Sequence, residues 1–139
     1  MSGQQTPEQE NLLHITIGGA DLLLRSADVR EVVRPSALTN VPMGPAHLIG
    51  MANIRGQVVC IIDVGGVTAL PSCDREQTSR TRFLVLRHAS MHVGIWGDAV
   101  CGIRRIERAL LPEPGRDHLA GLSVDGKSFQ LLDCAGLLD

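Results

Sequence analysis

The sequence predicts an all-β protein made of two similar, small β-barrels, and three observations carry that expectation. The stretch Asn53-Ile54-Arg55-Gly56-Gln57-Val58-Val59-Cys60-Ile61-Ile62-Asp63 opens with a polar Gly turn, runs apolar and closes on a single Asp. The same layout returns 70 positions later, with Gly56 mapping to Gly126, Ile61-Ile62-Asp63 to Leu131-Leu132-Asp133, and Gly66 to Gly136. Many short apolar runs separated by Gly-rich turns then favour barrels over a parallel sheet. Closing each sheet would also remove exposed strand edges.

Taken in order, the first ten residues read as a loose tail. Leu13, Ile15 and Ile17 alternate with His14 and Thr16, the pattern of a half-buried strand. Gly18-Gly19 permits a tight reversal into Asp21 to Arg25, which makes a hairpin. Ser26-Ala27-Asp28 is a short turn, and Val29 to Arg34 resumes an extended run. Pro35, Pro42 and Pro45 mark a connecting loop, and Ala46 to Met51 is expected to form one or two helical turns after the last proline. Ser72 to Arg80 is polar throughout and reads as a surface loop between the halves.

The second half repeats this grammar. Arg82 to Arg87 is a strand, His88-Ala89-Ser90 a turn, and Met91 to Trp96 the return strand. An offset of 71 aligns Val29 with Val100 and Val32 with Ile103, so the repetition is not confined to one motif. Asp125-Gly126 between Val124 and Lys127 is a strong two-residue hairpin signal. Leu137-Leu138 ends the chain in a short helical turn. A repeat of this length occurring twice is not a solenoid.

Composition narrows the function. With 139 residues there is room for one compact domain or two small subdomains sharing a core. Phe83, Trp96 and Phe129 are the only aromatics, which argues against a stacking platform for single-stranded nucleic acid. A net charge of -2 gives no reason to expect a polyanionic partner. Cys60, Cys73, Cys101 and Cys134 are widely spaced with no C-x-x-C pair; three lie in apolar runs, where cysteine behaves as a small buried hydrophobe. No apolar run is long enough to span a bilayer, and Met1 to Gln9 lacks a signal-peptide core, so a reducing cytoplasm is the expected compartment.

Signals for chemistry are weak. His88 and His92 have a spacing that suits metal ligation on a helix, but they flank a turn and lack a third ligand. Asp63 and Asp133 could be read as paired carboxylates. Their equivalence in the repeat points instead to one structural task performed twice, such as capping the following turn. There is no G-x-S-x-G elbow and no phosphate-binding Gly loop. The expectation is a protein without catalysis, cofactor or metal. Trp96 is either a core anchor or an interface residue; it alternates with Ile95 and lies beside Gly94 and Gly97, which favours a contact surface.

Four segments resemble the CheW family of chemotaxis coupling proteins: Asp28-Val29-Arg30-Glu31-Val32, Thr39 to Met51, Asn53-Ile54-Arg55-Gly56 running into Cys60-Ile61-Ile62-Asp63, and Val93-Gly94-Ile95 followed by Asp98-Ala99-Val100. The resemblance covers Leu12 to Leu138. It implies two SH3-like five-stranded barrels packed side by side, with short helical turns. On that reading residues 1–10 are a flexible tail and 11–139 one domain, with the first barrel mainly 26–80, the second mainly 81–139 and some strand exchange between them.

The resemblance also implies the work. Such proteins bridge the regulatory domain of a CheA-type histidine kinase to the cytoplasmic tips of chemoreceptors, without inserting into the membrane or binding nucleic acid. It implies partner contacts at Glu31 and Arg55, at their apolar neighbours Val29 and Val58, and at Asn53 in the same turn. A guanidinium on a Gly-bounded turn projects outward with five donors, which gives Arg55 a physical reason to be a contact. Two alternatives stand beside the coupling role. One is a specialised adaptor or decoy that binds a single partner, for example in a pilus chemosensory system. The other is a small-molecule or metal sensor built on the barrels.

Overall fold

A computed structural model describes residues 8–138, with the side chain of residue 116 left aside. The strands are β1 (Gln9–Ile17), β2 (Ala20–Arg25), β3 (Val29–Val33), β4 (Leu38–Thr39), β5 (Leu48–Ile54), β6 (Gln57–Ile62), β7 (Arg82–Leu86), β8 (Val93–Gly97), β9 (Ala99–Glu107), β10 (Leu119–Val124) and β11 (Lys127–Leu132). The helix α1 (Cys134–Leu138) follows β11. The protein is all-β in two sheets, ordered β10-β11-β2-β1-β9 and β3-β7-β8-β6-β5-β4.

Three hairpins share one turn. Gly18-Gly19, Arg55-Gly56 and Asp125-Gly126 each place two residues at positive φ, at 57° and 84°, 54° and 81°, and 52° and 79°. That is the two-residue type I′ geometry, whose twist matches the right-handed twist of the flanking strands. The registers close on Ile17↔Ala20, Ile54↔Gln57 and Val124↔Lys127. Local turn chemistry thus fixes the pairing of β1 with β2, β5 with β6 and β10 with β11.

The repeat is real, but its halves are interleaved. Read from matching ends, the sheets run β9-β1-β2-β11-β10 and β3-β7-β8-β6-β5, with β4 added at one edge. The parallel pair falls at the same place in each: Leu131↔Leu23 and Leu132↔Leu24 in one sheet, Ile61↔Gly94 and Ile62↔Ile95 in the other. Each sequence repeat therefore lends its first hairpin to the other repeat's sheet. In the sheets β7 and β8 belong with β3 to β6, whereas β1 and β2 belong with β9 to β11. The expected tail is shorter, because Gln9 and Glu10 already pair with Glu107 and Ile106; residues 1–7 lie outside the described residues.

The exchange ties the sheets through a common core. Ile15, Ile17, Leu22 and Leu24 of one sheet pack in a single cluster with Val59, Ile61, Phe83, Leu84, Ile95 and Trp96 of the other. Leu12 and Leu23 point the opposite way, into a second cluster with Ile106, Phe129 and Leu131. β1 and β2 are thus apolar on both faces, and the polar face expected for β1 is covered as well. His14 is buried, 2.7 Å from Asp21 Oδ1 and edge-on to Phe129. That contact holds the Asp21 carboxyl below its ordinary pKa, against a smaller upward push from burial.

Ala46 to Met51 is not helical. Leu48 begins β5, which pairs with β6 on one side and β4 on the other. A Cβ at Gly50 would stand 3.0 Å from both Leu38 Cβ and Thr39 O, so the glycine admits the close approach of β4. The proline rule describes only the local chain; ladder pairing on both sides decided the strand.

Candidate partner-binding surface

Glu31 and Arg55 come from different elements and meet. β3 pairs with β7 through Val29↔Leu86 and Glu31↔Val85, which leaves Arg30 as the extra residue of a β-bulge. Bulges re-aim side chains and sharpen twist. Glu31 Oε1 lies 3.6 Å from Arg55 Nε, and Glu31 Oε2 lies 4.0 Å from Arg30 Nε. Arg30 Nη2 donates to Gln57 Oε1 at 3.2 Å, and the Gln57 amide lies 3.2 Å from His92 Nε2. Side chains thus join the edge strand β3 to the β5–β6 hairpin and to the loop before β8.

Within this cluster the two charges play different parts. The Arg55 side chain is 79% exposed, the Glu31 side chain only 20%. Glu31 Oε1 is buried and makes no hydrogen bond, so it acts on Arg55 through charge rather than through a made bond. Asn53 Oδ1 accepts from the Gly56 N–H at 2.9 Å and fixes the turn on which Arg55 stands. Val58 on β6 and Val32 on β3 are exposed. The surface therefore presents a guanidinium, with exposed valines on the two strands that carry the cluster.

Two expected contacts lie inside. Val29 is 7% exposed and belongs to the shared core. Trp96 is 1% exposed, tilted against Phe83 with ring centroids 5.6 Å apart, and its Nε1 donates to Asp98 Oδ1 at 3.1 Å. The alternation argument for a contact surface fails because β8 is buried on both faces, Ile95 and Trp96 alike. Trp96 is a core anchor. Arg30 and Gln57 were not singled out as site residues, although Arg30 precedes Glu31 and Gln57 follows the Gly56 turn, and His92 was weighed only with His88 as a metal ligand; only the folded sheet brings the three together.

The two aspartates are structural. Asp63 is fully buried; its Oδ1 accepts from the N–H groups of Gly65 (3.1 Å) and Cys73 (3.0 Å), and its Oδ2 pairs with Arg75 Nη2 at 3.1 Å. Burial pushes its pKa up, but Cys73 N–H, the Arg75 guanidinium and Gly65 N–H together hold it below the ordinary value. Asp133 caps more simply, accepting from Gly136 N–H at 3.2 Å. Both receive the same backbone partner: Asp63 N–H donates to His47 O and Asp133 N–H to His118 O, each at 2.8 Å. The four cysteines are free thiols, and burial pushes Cys73 up to about 12, far from a reactive thiolate. His88 accepts from the N–H groups of Ser90 and Met91 through Nδ1, and no metal-binding group of three ligands exists among the described residues.

Comparison with known proteins places this architecture. A family model described as "CheW-like domain" matches residues 11–139. The chain belongs to the CheW-like family. It is similar to the protein FrzA of Myxococcus xanthus, at 31% identity over 99% of this chain and 90% of that protein. It is also 31% identical to the chemotaxis protein CheW of Rhizobium meliloti, over 86% of this chain and 88% of that one. The scaffolding protein TtCheW of Thermoanaerobacter tengcongensis shares the fold, with a TM-score of 0.81 at 19% identity, covering 100% of this chain and 94% of that one. The CheW-like family is one of non-catalytic scaffolds.

Proposed function

We propose that this protein couples a CheA-type histidine kinase to the cytoplasmic tips of chemoreceptors, working in the cytoplasm at receptor arrays. Membership of the CheW-like family across nearly the whole chain supports that reading. No helix among the described residues is long and apolar enough to cross a membrane. The observation that carries the proposal to a surface is Arg55. It stands at φ 54°, in a turn position that favours Asn, Asp or Gly. A left-handed conformation costs a residue with a side chain roughly 1–2 kcal/mol. Strained positions are retained where the surrounding structure over-determines them, and they gather at binding sites.

In this account Glu31 positions Arg55, Asn53 fixes its turn, and Val58 supplies apolar contact beside it. Mixing the protein with the kinase's regulatory domain, then with a receptor cytoplasmic fragment, tests the proposal by size-exclusion chromatography with light scattering. A one-to-one complex with the kinase domain that also retains the receptor fragment is the expected result. Capture of one partner only would establish the adaptor reading. Separate elution from both, well above micromolar concentration, would sink the coupling role while leaving the fold untouched.

A further inference from the structure

Carboxylates pair with Arg25, Arg30, Arg55, Arg75, Arg104 and Arg108, whereas Arg34, Arg80, Arg82, Arg87 and Arg105 have no such partner among the described residues. Arg87 and Arg105 lie apart, against Ala27 O and Asn11 Oδ1, and Arg34, Arg80 and Arg82 lie together. These three line two adjoining clefts where the end of β3, the loop before β7 and the start of β9 meet. One cleft, of about 350 Å³, is lined by Arg34, Pro35, Thr78, Ser79 and Arg82. The other, of about 170 Å³, is lined by Ser79, Arg80, Arg82, Ala99 and Val100. Arg82 is anchored, its Nη1 donating to Ser79 O at 3.0 Å and Thr81 O at 2.7 Å, which leaves its remaining N–H groups to a ligand.

No carboxylate lines either cleft. Asp74, Glu76 and Asp98 line an adjoining cavity that shares Thr78, Ser79, Arg80 and Ala99 with them, and Asp98 there accepts from the N–H groups of Gly18 and Asp74 and from the Trp96 indole.

We propose that Arg34, Arg80 and Arg82 form a recognition cleft for carboxylates carried by an acidic, amphipathic segment of a protein partner. Charge complementarity calls for the carboxylates, since guanidinium forks bind them with two donors each. Pro35 and Val100 add apolar contact beside the guanidiniums, which suits a segment that also brings hydrocarbon. The inference deepens the coupling function, and rests on it only in taking that partner to be the kinase or the receptor.

The test measures affinity for the kinase regulatory domain and for a receptor cytoplasmic fragment across a salt series. It compares the unsubstituted chain with R34Q/R80Q/R82Q and with R34E/R80E, which keeps the Arg82 bonds. Expected is an unchanged thermal midpoint in R34E/R80E, a loss of about tenfold or more at low salt for one partner, and a flatter salt dependence. Wild-type affinity and salt slope in both variants, for both partners, would overturn the cleft and leave the coupling function standing. Failure of the unsubstituted chain to bind either protein would overturn the coupling function and this occupant with it. Saturable binding of inorganic phosphate alone, with partner binding untouched by the substitutions, would replace the protein segment by a free anion.

Discussion

Hairpins β5–β6 and β10–β11 hold equivalent places in the two sheets and make the same turn, yet Arg55 stands in one where Asp125 stands in the other. Asp suits a left-handed turn position; Arg does not. Arg55 is flanked by the Glu31–Arg30–Gln57 cluster, whereas among the described residues Asp125 reaches only Arg104, at 3.9 Å. The strand-closing aspartates differ in the same direction: Asp63 is buried beneath Arg75, and Asp133 caps a short helix at the edge. Where the repeats agree, backbone geometry explains the residue. Where they differ, one copy has taken on a further task.

Breaking the comparison at its core gives the largest effect. The pairing of β8 with β6 and of β2 with β11 makes Trp96 the counterpart of Arg25. Trp96→Ala should cost about 4 kcal/mol, as expected for emptying a buried aromatic site. Arg25→Ala should cost about 1 kcal/mol, since it loses a 3.5 Å contact with Glu10 and its attraction to Asp28 but no large apolar group. Urea denaturation of both variants checks the difference; equal losses would mean the equivalent positions share one structural role.

The aspartate pair comes next. Asp63→Ala removes a buried carboxylate that serves two backbone N–H groups and a guanidinium, and should cost about 3 kcal/mol. Asp133→Ala removes a cap and should cost about 1 kcal/mol. The same site sets an acid limit. Because the folded Asp63 pKa is depressed, its contribution is whole above the unfolded carboxylate value of about 3.9 and disappears as pH falls through the lower folded value. Asp21 acts in the same sense. Asp28, which burial pushes up, acts oppositely, favouring the folded state at acid pH and losing that effect as pH rises through its folded value. Chemical denaturation between about pH 2 and 6 should therefore show stability falling below about pH 4. Asp63→Asn should flatten that slope, and an unchanged slope would show that other groups govern it.

The smallest change in stability carries the sharpest functional test. Arg55→Asn relieves the left-handed turn but gives up the contact with Glu31, so stability should hold or rise by up to about 1 kcal/mol. Affinity for the partner that Arg55 meets should meanwhile fall by about tenfold or more. A variant that binds normally would show the arginine to be solvated rather than engaged. Asp125→Asn, the matching change in the second hairpin, should alter neither quantity.

Much of the fold was legible from residues alone because the informative interactions are local. Gly18-Gly19, Arg55-Gly56 and Asp125-Gly126 specify hairpins within four residues of chain, and the offset of 70 exposes a unit built twice. Arg55 and Asn53 were likewise readable as turn residues. Trp96 lies in the core because alternation says which residues share a face, not whether the second face is covered, and Val29, a contact only by resemblance, is buried there too. Ala46 to Met51 was misread as helical because the strand is held from both sides by partners distant in sequence.

The sequence by itself determined most of the strands, the hairpins at Gly18-Gly19 and Asp125-Gly126, the duplication and the family resemblance. Tertiary structure alone decided which hairpin enters which sheet, since an isolated hairpin carries no record of the neighbour that will cover its second face. That choice buries His14 and Trp96, joins the sheets through one core, and curls the second sheet until Glu31 reaches Arg55. Backbone turns are set by a few dihedral preferences, whereas a surface such as this one depends on long-range burial that no short stretch of residues contains.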